Sequence, residues 1–84
     1  MLDNFMDTKT FSGTGVTDFP AGFRNGSVYN KGTTAIQIIV DFGGGNFIIS
    51  LDPGMIYNFE ESVKTYSNVR IQAGTNQIDA VFHY

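Results

Sequence analysis

Few side chains in this sequence of 84 residues could carry out covalent chemistry. It has no cysteine and one histidine, His83, so nucleophilic catalysis would need a serine or threonine activated by His83. His83 is the penultimate residue of an alternating segment and falls on the face opposite Phe82 and Tyr84, which is typical of a solvent-facing histidine on a strand. We therefore predict no catalytic residues and no enzymatic activity.

The acidic side chains do not predict a metal site. Asp52 with Glu60 and Glu61, or Asp3 with Asp7, could supply oxygen ligands to calcium. Neither group has the alternating acidic spacing of a dedicated calcium loop, so solvated turns are the preferred interpretation. Without cysteine, and with one histidine, a zinc site of the usual kind cannot be assembled. We expect neither a metal nor a cofactor.

Two short motifs have a functional and a structural interpretation, and the structural one is favoured for both. Residues 41–45, Asp-Phe-Gly-Gly-Gly, resemble a phosphate-binding glycine loop, but such a loop leads into a helix and a strand pattern follows here. Asn25-Gly26-Ser27 fits a glycosylation acceptor, yet the acidic N-terminal segment has no continuous apolar stretch and is not expected to act as a secretory signal. We predict a hairpin turn at the first motif and a simple turn at the second.

Alternating apolar and polar residues predict the strands that would position these groups. The clearest segment is 34–42, and weaker ones cover 27–30, 46–51, 55–59, 68–73 and 77–84. The predicted inward residues are Ile36, Ile38, Val40, Phe42, Phe47, Ile49, Leu51, Met55, Tyr57, Phe59, Val69, Ile71, Ala73, Ile78, Ala80, Phe82 and Tyr84.

Turn residues separate these strands. The glycines at 43–45 predict a hairpin between segments 34–42 and 46–51, and Asp52-Pro53-Gly54 predicts a type II turn. Gly74-Thr75-Asn76 predicts a second hairpin, between segments 68–73 and 77–84.

Short strands without helical periodicity predict an all-β fold, a small antiparallel β-sandwich or jelly-roll-like barrel with an N-terminal extended arm. We place the arm at residues 1–15 and a single β domain at residues 16–84. Two arrangements of the arm stay open: it packs against a neighbouring subunit, or it folds back over its own sheet.

The charge pattern limits the class of partner. The net charge is -3, and charged residues make up 15% of the chain against roughly 25% in an average domain. Nothing here forms the basic face that nucleic acid requires, and no segment is long and apolar enough for a membrane helix. A small domain without disulfide or metal is often stabilised by assembly, so we expect a homo-oligomer. The candidate interface residues are Phe5, Met6, Phe11, Tyr29, Tyr57, Tyr66 and Tyr84.

Residues 27–84 carry a recognisable order of motifs: "VYNKG", then "TAIQIIVDF", a glycine turn, "FIISLDPGMIYNF" and two closing strands. This order resembles small bacteriophage virion proteins of the decoration, neck and tail type. The resemblance implies a β-sandwich that occupies sites on a symmetric lattice, made in the host cytoplasm and resident in the virion. Its implied partners are other virion proteins and copies of itself.

A second class of function stays open. Tyrosines and loops rich in Asn, Thr and Gln are also compatible with a small carbohydrate- or peptide-binding module. The absence of tryptophan makes stacking on sugars the less favoured use of these aromatic residues.

Overall fold

The computed structural model describes residues 8–20, 22–41, 44–60 and 68–84, and all regular structure in these ranges is β-strand. The eight strands are β1 (Thr8–Gly13), β2 (Val16–Pro20), β3 (Asn25–Asn30), β4 (Ile36–Asp41), β5 (Asn46–Leu51), β6 (Ile56–Phe59), β7 (Asn68–Gln72) and β8 (Ile78–His83). The predicted all-β fold is confirmed.

The strands form two four-stranded sheets. Sheet I has the order β1-β8-β3-β6 and sheet II the order β2-β7-β4-β5, and every pairing is antiparallel. Among these pairs, only β4 and β5 are consecutive in the chain, because each of the other connections between described strands leads into the opposite sheet. This is the order of a jelly roll, one of the two architectures that the sequence predicted.

The core lies between the sheets and follows the predicted alternation. The fully buried aliphatic residues are Val28, Ile36, Ile38, Val40, Val69, Ile71 and Ile78. Phe19, Phe23, Phe59 and Phe82 form an aromatic cluster with ring centroids 4.3 to 5.8 Å apart. Phe82 is at its centre, which makes the last strand the main aromatic contact between the layers.

Gly26 makes room for Phe82. The two residues are directly opposite each other on β3 and β8, and a Cβ atom on Gly26 would overlap the Phe82 ring. Glycine is therefore needed at position 26 for space and not for a special backbone angle. At position 54, by contrast, the predicted type II turn is confirmed by a φ of 81°.

Several predictions about the strands are wrong. The segment 74–76 does not close a hairpin, because β7 and β8 belong to different sheets. Phe47 lies 40% exposed because β5 is an edge strand, and Met55 is 55% exposed because β6 begins only at Ile56. β1 and β2 were not predicted as strands. The predicted inward position of Phe42 lies outside the described residues.

Residues 8–13, which the sequence placed in an extended arm, pair with β8 along their whole length. For this part of the arm, the structure has the second of the two arrangements, folded back on its own sheet. Residues 1–7 lie outside the described residues.

Candidate interaction site

The predicted interface residues do not gather in one place. Phe11, Tyr57 and Tyr84 are partly buried and pack against the core, whereas Tyr29 is 38% exposed on the outer face of sheet I. Tyr84 is also fixed locally, since its hydroxyl donates to the carbonyl oxygen of Pro20 at 2.8 Å. Phe5, Met6 and Tyr66 lie outside the described residues. Tyr29 is thus the described candidate with the most accessible side chain.

A shallow depression follows the outer face of sheet I, and we call it the outer groove. It consists of two adjoining concavities of about 280 Å³ each, which share Ser27 and Val81. One end is lined by Thr10, Ser12, Tyr29 and Asp79, and the other by Asn25, Asn58 and His83. The named residues offer hydroxyl, amide and imidazole groups, the Tyr29 ring and the Asp79 carboxylate, and the Phe11 ring also lines the first concavity.

The carboxylate at the groove is held by its neighbours. The Ser12 hydroxyl donates to Asp79 Oδ1 at 2.7 Å, and Lys31 Nζ lies 3.2 Å from Asp79 Oδ2. The hydrogen bond from Ser12, followed by the one from Lys31, lowers the pKa of Asp79. A carboxylate with a lowered pKa is a weaker base, so this arrangement orders the side chains but does not activate Ser12 as a nucleophile.

His83 lies on the outer face of sheet I, as the alternation predicted, and it is half-buried. Its Nδ1 atom is 3.1 Å from the Thr8 hydroxyl oxygen on the neighbouring strand β1. Within the described ranges, no group of three or more acidic or histidine side chains is placed to hold a metal ion. The same ranges contain no helix that is long and apolar enough to span a membrane.

Two buried asparagines close one end of the sandwich. The Asn30 amide donates to the carbonyl oxygens of Thr34 and Leu51, both at 2.9 Å. Asn76 Oδ1 accepts the backbone N–H groups of Thr33 and Thr34 at 2.9 and 3.0 Å. These bonds tie together the loops that precede β4, follow β5 and precede β8. The sequence analysis missed both asparagines, since the only local signal, an Asn beside a turn, is common on loops.

Among the described residues, the outer face of sheet II has an ion pair between Asp18 and Arg70 and an aliphatic pair beside it. Arg70 donates to both oxygens of Asp18, with Nε–Oδ1 at 2.8 Å and Nη2–Oδ2 at 3.1 Å, and this bond lowers the pKa of Asp18. Beside it, Ile39 on β4 is paired across from Ile48 on β5. Ile48 is 57% exposed, although it is a large aliphatic residue.

The two sides of the sandwich differ in how their edge strands are protected. On one side, β1 carries Lys9 on its inward face, with Nζ 5.7 Å from the centre of the Tyr84 ring, and β2 carries Asp18 and Pro20. Charges and prolines on edge strands hinder pairing with another chain. On the other side, β5 and β6 contain no charged residue and no proline. Phe47, Ile48 and Ile56 on these two strands are 40 to 57% exposed.

Comparisons with known proteins agree with the fold. No family model matches the sequence, and no curated protein matches it. Among solved structures, the chain is similar to the SPBc2 prophage-derived protein YomS, with a TM-score of 0.64, 12% sequence identity, and coverage of 100% of this chain and 99% of that one. At this identity the similarity concerns the fold alone.

Two further solved structures are similar over most of the chain. One is a de novo designed double-stranded β-helix, with a TM-score of 0.46 and 16% identity over 96% of this chain and 100% of that one. The other is a cupin domain from Bordetella pertussis Tohama I, with a TM-score of 0.48 and 19% identity. The match covers 96% of this chain and 83% of the cupin domain chain. The strand order and pairing described above place the chain in the class of small jelly-roll β-proteins.

Proposed function

We propose that the chain is a non-enzymatic structural subunit of a phage particle, either a capsid decoration or cement protein or an accessory protein of the tail or neck. It acts by packing against other virion proteins and copies of itself. The observation that carries this proposal is the side of the sandwich formed by β5 and β6, where apolar side chains are exposed on strands without charge or proline. A surface of this kind is suited to burial against protein.

Two further observations support the proposal. The low content of charged residues leaves a surface that can be buried without desolvating many ions. The shared fold with a prophage-derived protein, over nearly the full length of both chains, agrees with the resemblance carried by residues 27–84.

Particle composition tests this function. Particles of the phage that encodes the chain would be purified by density gradient, and their proteins quantified by mass spectrometry. We expect the chain at a fixed ratio to a major capsid or tail protein in particles that remain intact at high salt. Recovery of the chain only in the soluble lysate, with none in the particles, would contradict the proposal.

The outer groove favours a second candidate, a module that binds carbohydrate or peptide. Tyr29 offers an exposed ring, and Asn25 and Asn58 offer amide groups of the kind that bind hydroxyls or peptide bonds. The test is binding to glycan and peptide arrays by the wild type, Tyr29→Ala and Tyr29→Phe. Binding that is lost in the alanine variant and kept in the phenylalanine variant would favour this candidate. No binding on either array would remove it.

A further inference from the structure

We propose that two copies of the chain associate by antiparallel pairing of their β5 strands, with the two-fold axis at Ile48. The inference rests on the proposed function, because it names the surface by which a structural subunit would contact its own copy. The pairing follows from the unprotected edge of β5, the register of its two faces and the size of the contact that the two strands would form.

β5 is the edge best suited to accept another strand. In the described part of the chain it pairs with β4 alone, and its six residues, Asn-Phe-Ile-Ile-Ser-Leu, contain no charge and no proline. β1 and β2 are each protected by a charged residue, and β2 also by Pro20. β6 is unprotected too, but it has four residues against the six of β5.

The register follows from the faces of β5. Phe47, Ile49 and Leu51 face the core side, and Asn46, Ile48 and Ser50 face outward, as their partners on β4 do. A symmetric pair keeps both faces aligned if its axis is at Ile48 or at Ile49. The axis at Ile48 places Ile48 against its own copy, whereas the axis at Ile49 would place it against Ser50. Because Ile48 is 57% exposed, the first register buries more apolar surface.

The edge of β5 is complementary to the β5 edge of a second copy. In the Ile48 register, Phe47 of each chain lies across from Ile49 of the other, and Asn46 lies across from Ser50. Apolar residues therefore meet apolar residues, polar residues meet polar residues, and no like charges are opposed, since β5 has none. The contact is isologous: each copy contributes its β5 edge, and no free β5 edge is left in the dimer.

The size of the contact sets its strength. Five residue pairs along one strand edge bury less than the roughly 1,200 Å² of a stable protein–protein interface. The isolated dimer should therefore be weak and concentration-dependent. Copies held at neighbouring sites on a particle would pair more completely, because tethering raises their effective concentration.

The first experiment measures self-association by sedimentation over a range of concentrations for three proteins: the wild type, Ile48→Lys and Val16→Lys. Val16 is a matched control, because it is 59% exposed, outward-facing and on the edge strand β2 of the same sheet. We expect the wild type and Val16→Lys to dimerise with equal dissociation constants, and Ile48→Lys to weaken dimerisation at least tenfold. Circular dichroism confirms that each variant is folded.

A cysteine scan tests the register. The chain has no cysteine, so Ile48→Cys, Ile49→Cys and Val16→Cys each introduce a single thiol. A short thiol cross-linker should produce a covalent dimer from Ile48→Cys in much higher yield than from the other two. Hydrogen exchange adds a readout of the backbone: within residues 46–50, the amides that point away from β4 should be protected at high concentration and exchange faster on dilution.

Three results would overturn the inference: a wild type that stays monomeric at the highest concentration, equal weakening by the two lysine variants, or preferential cross-linking at Val16→Cys. If such a chain is still found in purified particles, the proposed function stands and only the β5 pairing is wrong. If the pairing is observed but the chain is absent from particles, the dimer is real and the virion role is wrong.

Discussion

At the scale of single residues, Asn30 and Asn76 hold one end of the molecule. Both side chains are buried, at 0% and 7% exposure, and their hydrogen bonds lead to the loop before β4, to Leu51 at the end of β5 and to Ala73 after β7. Gly32 is beside this network, and a Cβ atom there would overlap the Asn76 side chain. Amide hydrogen bonds therefore help to close this end of the sandwich.

Replacing Asn76 by alanine should destabilise the fold. The change removes part-buried hydrogen bonds from the N–H groups of Thr33 and Thr34 and a buried one to the carbonyl oxygen of Ala73, and each hydrogen bond contributes about 0.5–1.5 kcal/mol. The free energy of unfolding from urea titration measures the loss. Gln77→Ala is the control, because Gln77 is exposed and its amide makes only a 3.3 Å contact with Ser12 among the described hydrogen bonds of its side chain. Equal stability of the two variants would contradict the role of Asn76.

Asp18 and Asp79 should make stability depend on pH in the acid range. In the folded protein, hydrogen bonds from Arg70 to Asp18 and from Ser12 to Asp79 hold the pKa of each carboxyl below its ordinary value. Since the folded state binds protons less readily, this contribution is present above about pH 4 and is lost as pH falls through the lower folded pKa. Melting temperatures measured from pH 7 to pH 2.5 should fall more gently in the Asp18→Asn, Asp79→Asn double variant. A double variant with the wild-type slope would contradict this.

The sequence predicted the outward position of His83 but not the importance of Asn30 and Asn76. His83 was placed correctly on an outward face because strand alternation is local. The importance of Asn30 and Asn76 could not be predicted, because each has partners 21 to 43 residues away, Leu51 for Asn30 and Thr33 and Thr34 for Asn76, which meet only when the sheets close. The outer groove could not be predicted either, because the residues that line it come from four strands, β1, β3, β6 and β8.

At the scale of elements, the core strands were predictable and the edges were not. β4, β7 and β8 alternate strongly because each is paired on both sides and buried on one face. β1 has one large apolar residue, Phe11, so the strand conformation of β1 depends on its pairing with β8. The turn at 74–76 was interpreted as a hairpin because glycine turns that cross between sheets have the same local sequence as those that join paired strands.

Gly26→Ala should weaken the contact between β3 and β8. The added methyl group would overlap the Phe82 ring at the centre of the aromatic cluster, and overpacking of a core costs about 1–3 kcal/mol. Gly44→Ala is a suitable control, because no atom of the described residues other than its chain neighbours lies within 4 Å of a Cβ at that position. The comparison uses thermal and urea unfolding, and equal effects of the two substitutions would count against the steric role of Gly26.

At the scale of the whole molecule, the strand order makes folding depend on distant parts of the chain. β1 pairs with β8 and β2 with β7, so both termini of the described chain must meet before either sheet is complete. β4 and β5 alone form a local hairpin among the described pairs. The entropy cost of closing long loops is therefore incurred before most of the native contacts between strands can form.

Refolding should accordingly be slow for a chain of 84 residues. All-β domains dominated by distant pairings fold in roughly milliseconds to seconds. Stopped-flow refolding, followed by tyrosine fluorescence because the chain has no tryptophan, measures the rate. Folding within microseconds would mean that local structure dominates, in conflict with the strand order.

The protected edge of sheet II also sets a limit on growth. A pair joined through β5 forms one continuous eight-stranded sheet whose two outer strands are both β2. Each outer strand carries Asp18, already bound to Arg70, and ends at Pro20, which has no N–H group to donate. A third chain therefore finds no unprotected strand at either end of this joined sheet, so we expect a dimer formed through β5 not to grow into a fibre through sheet II.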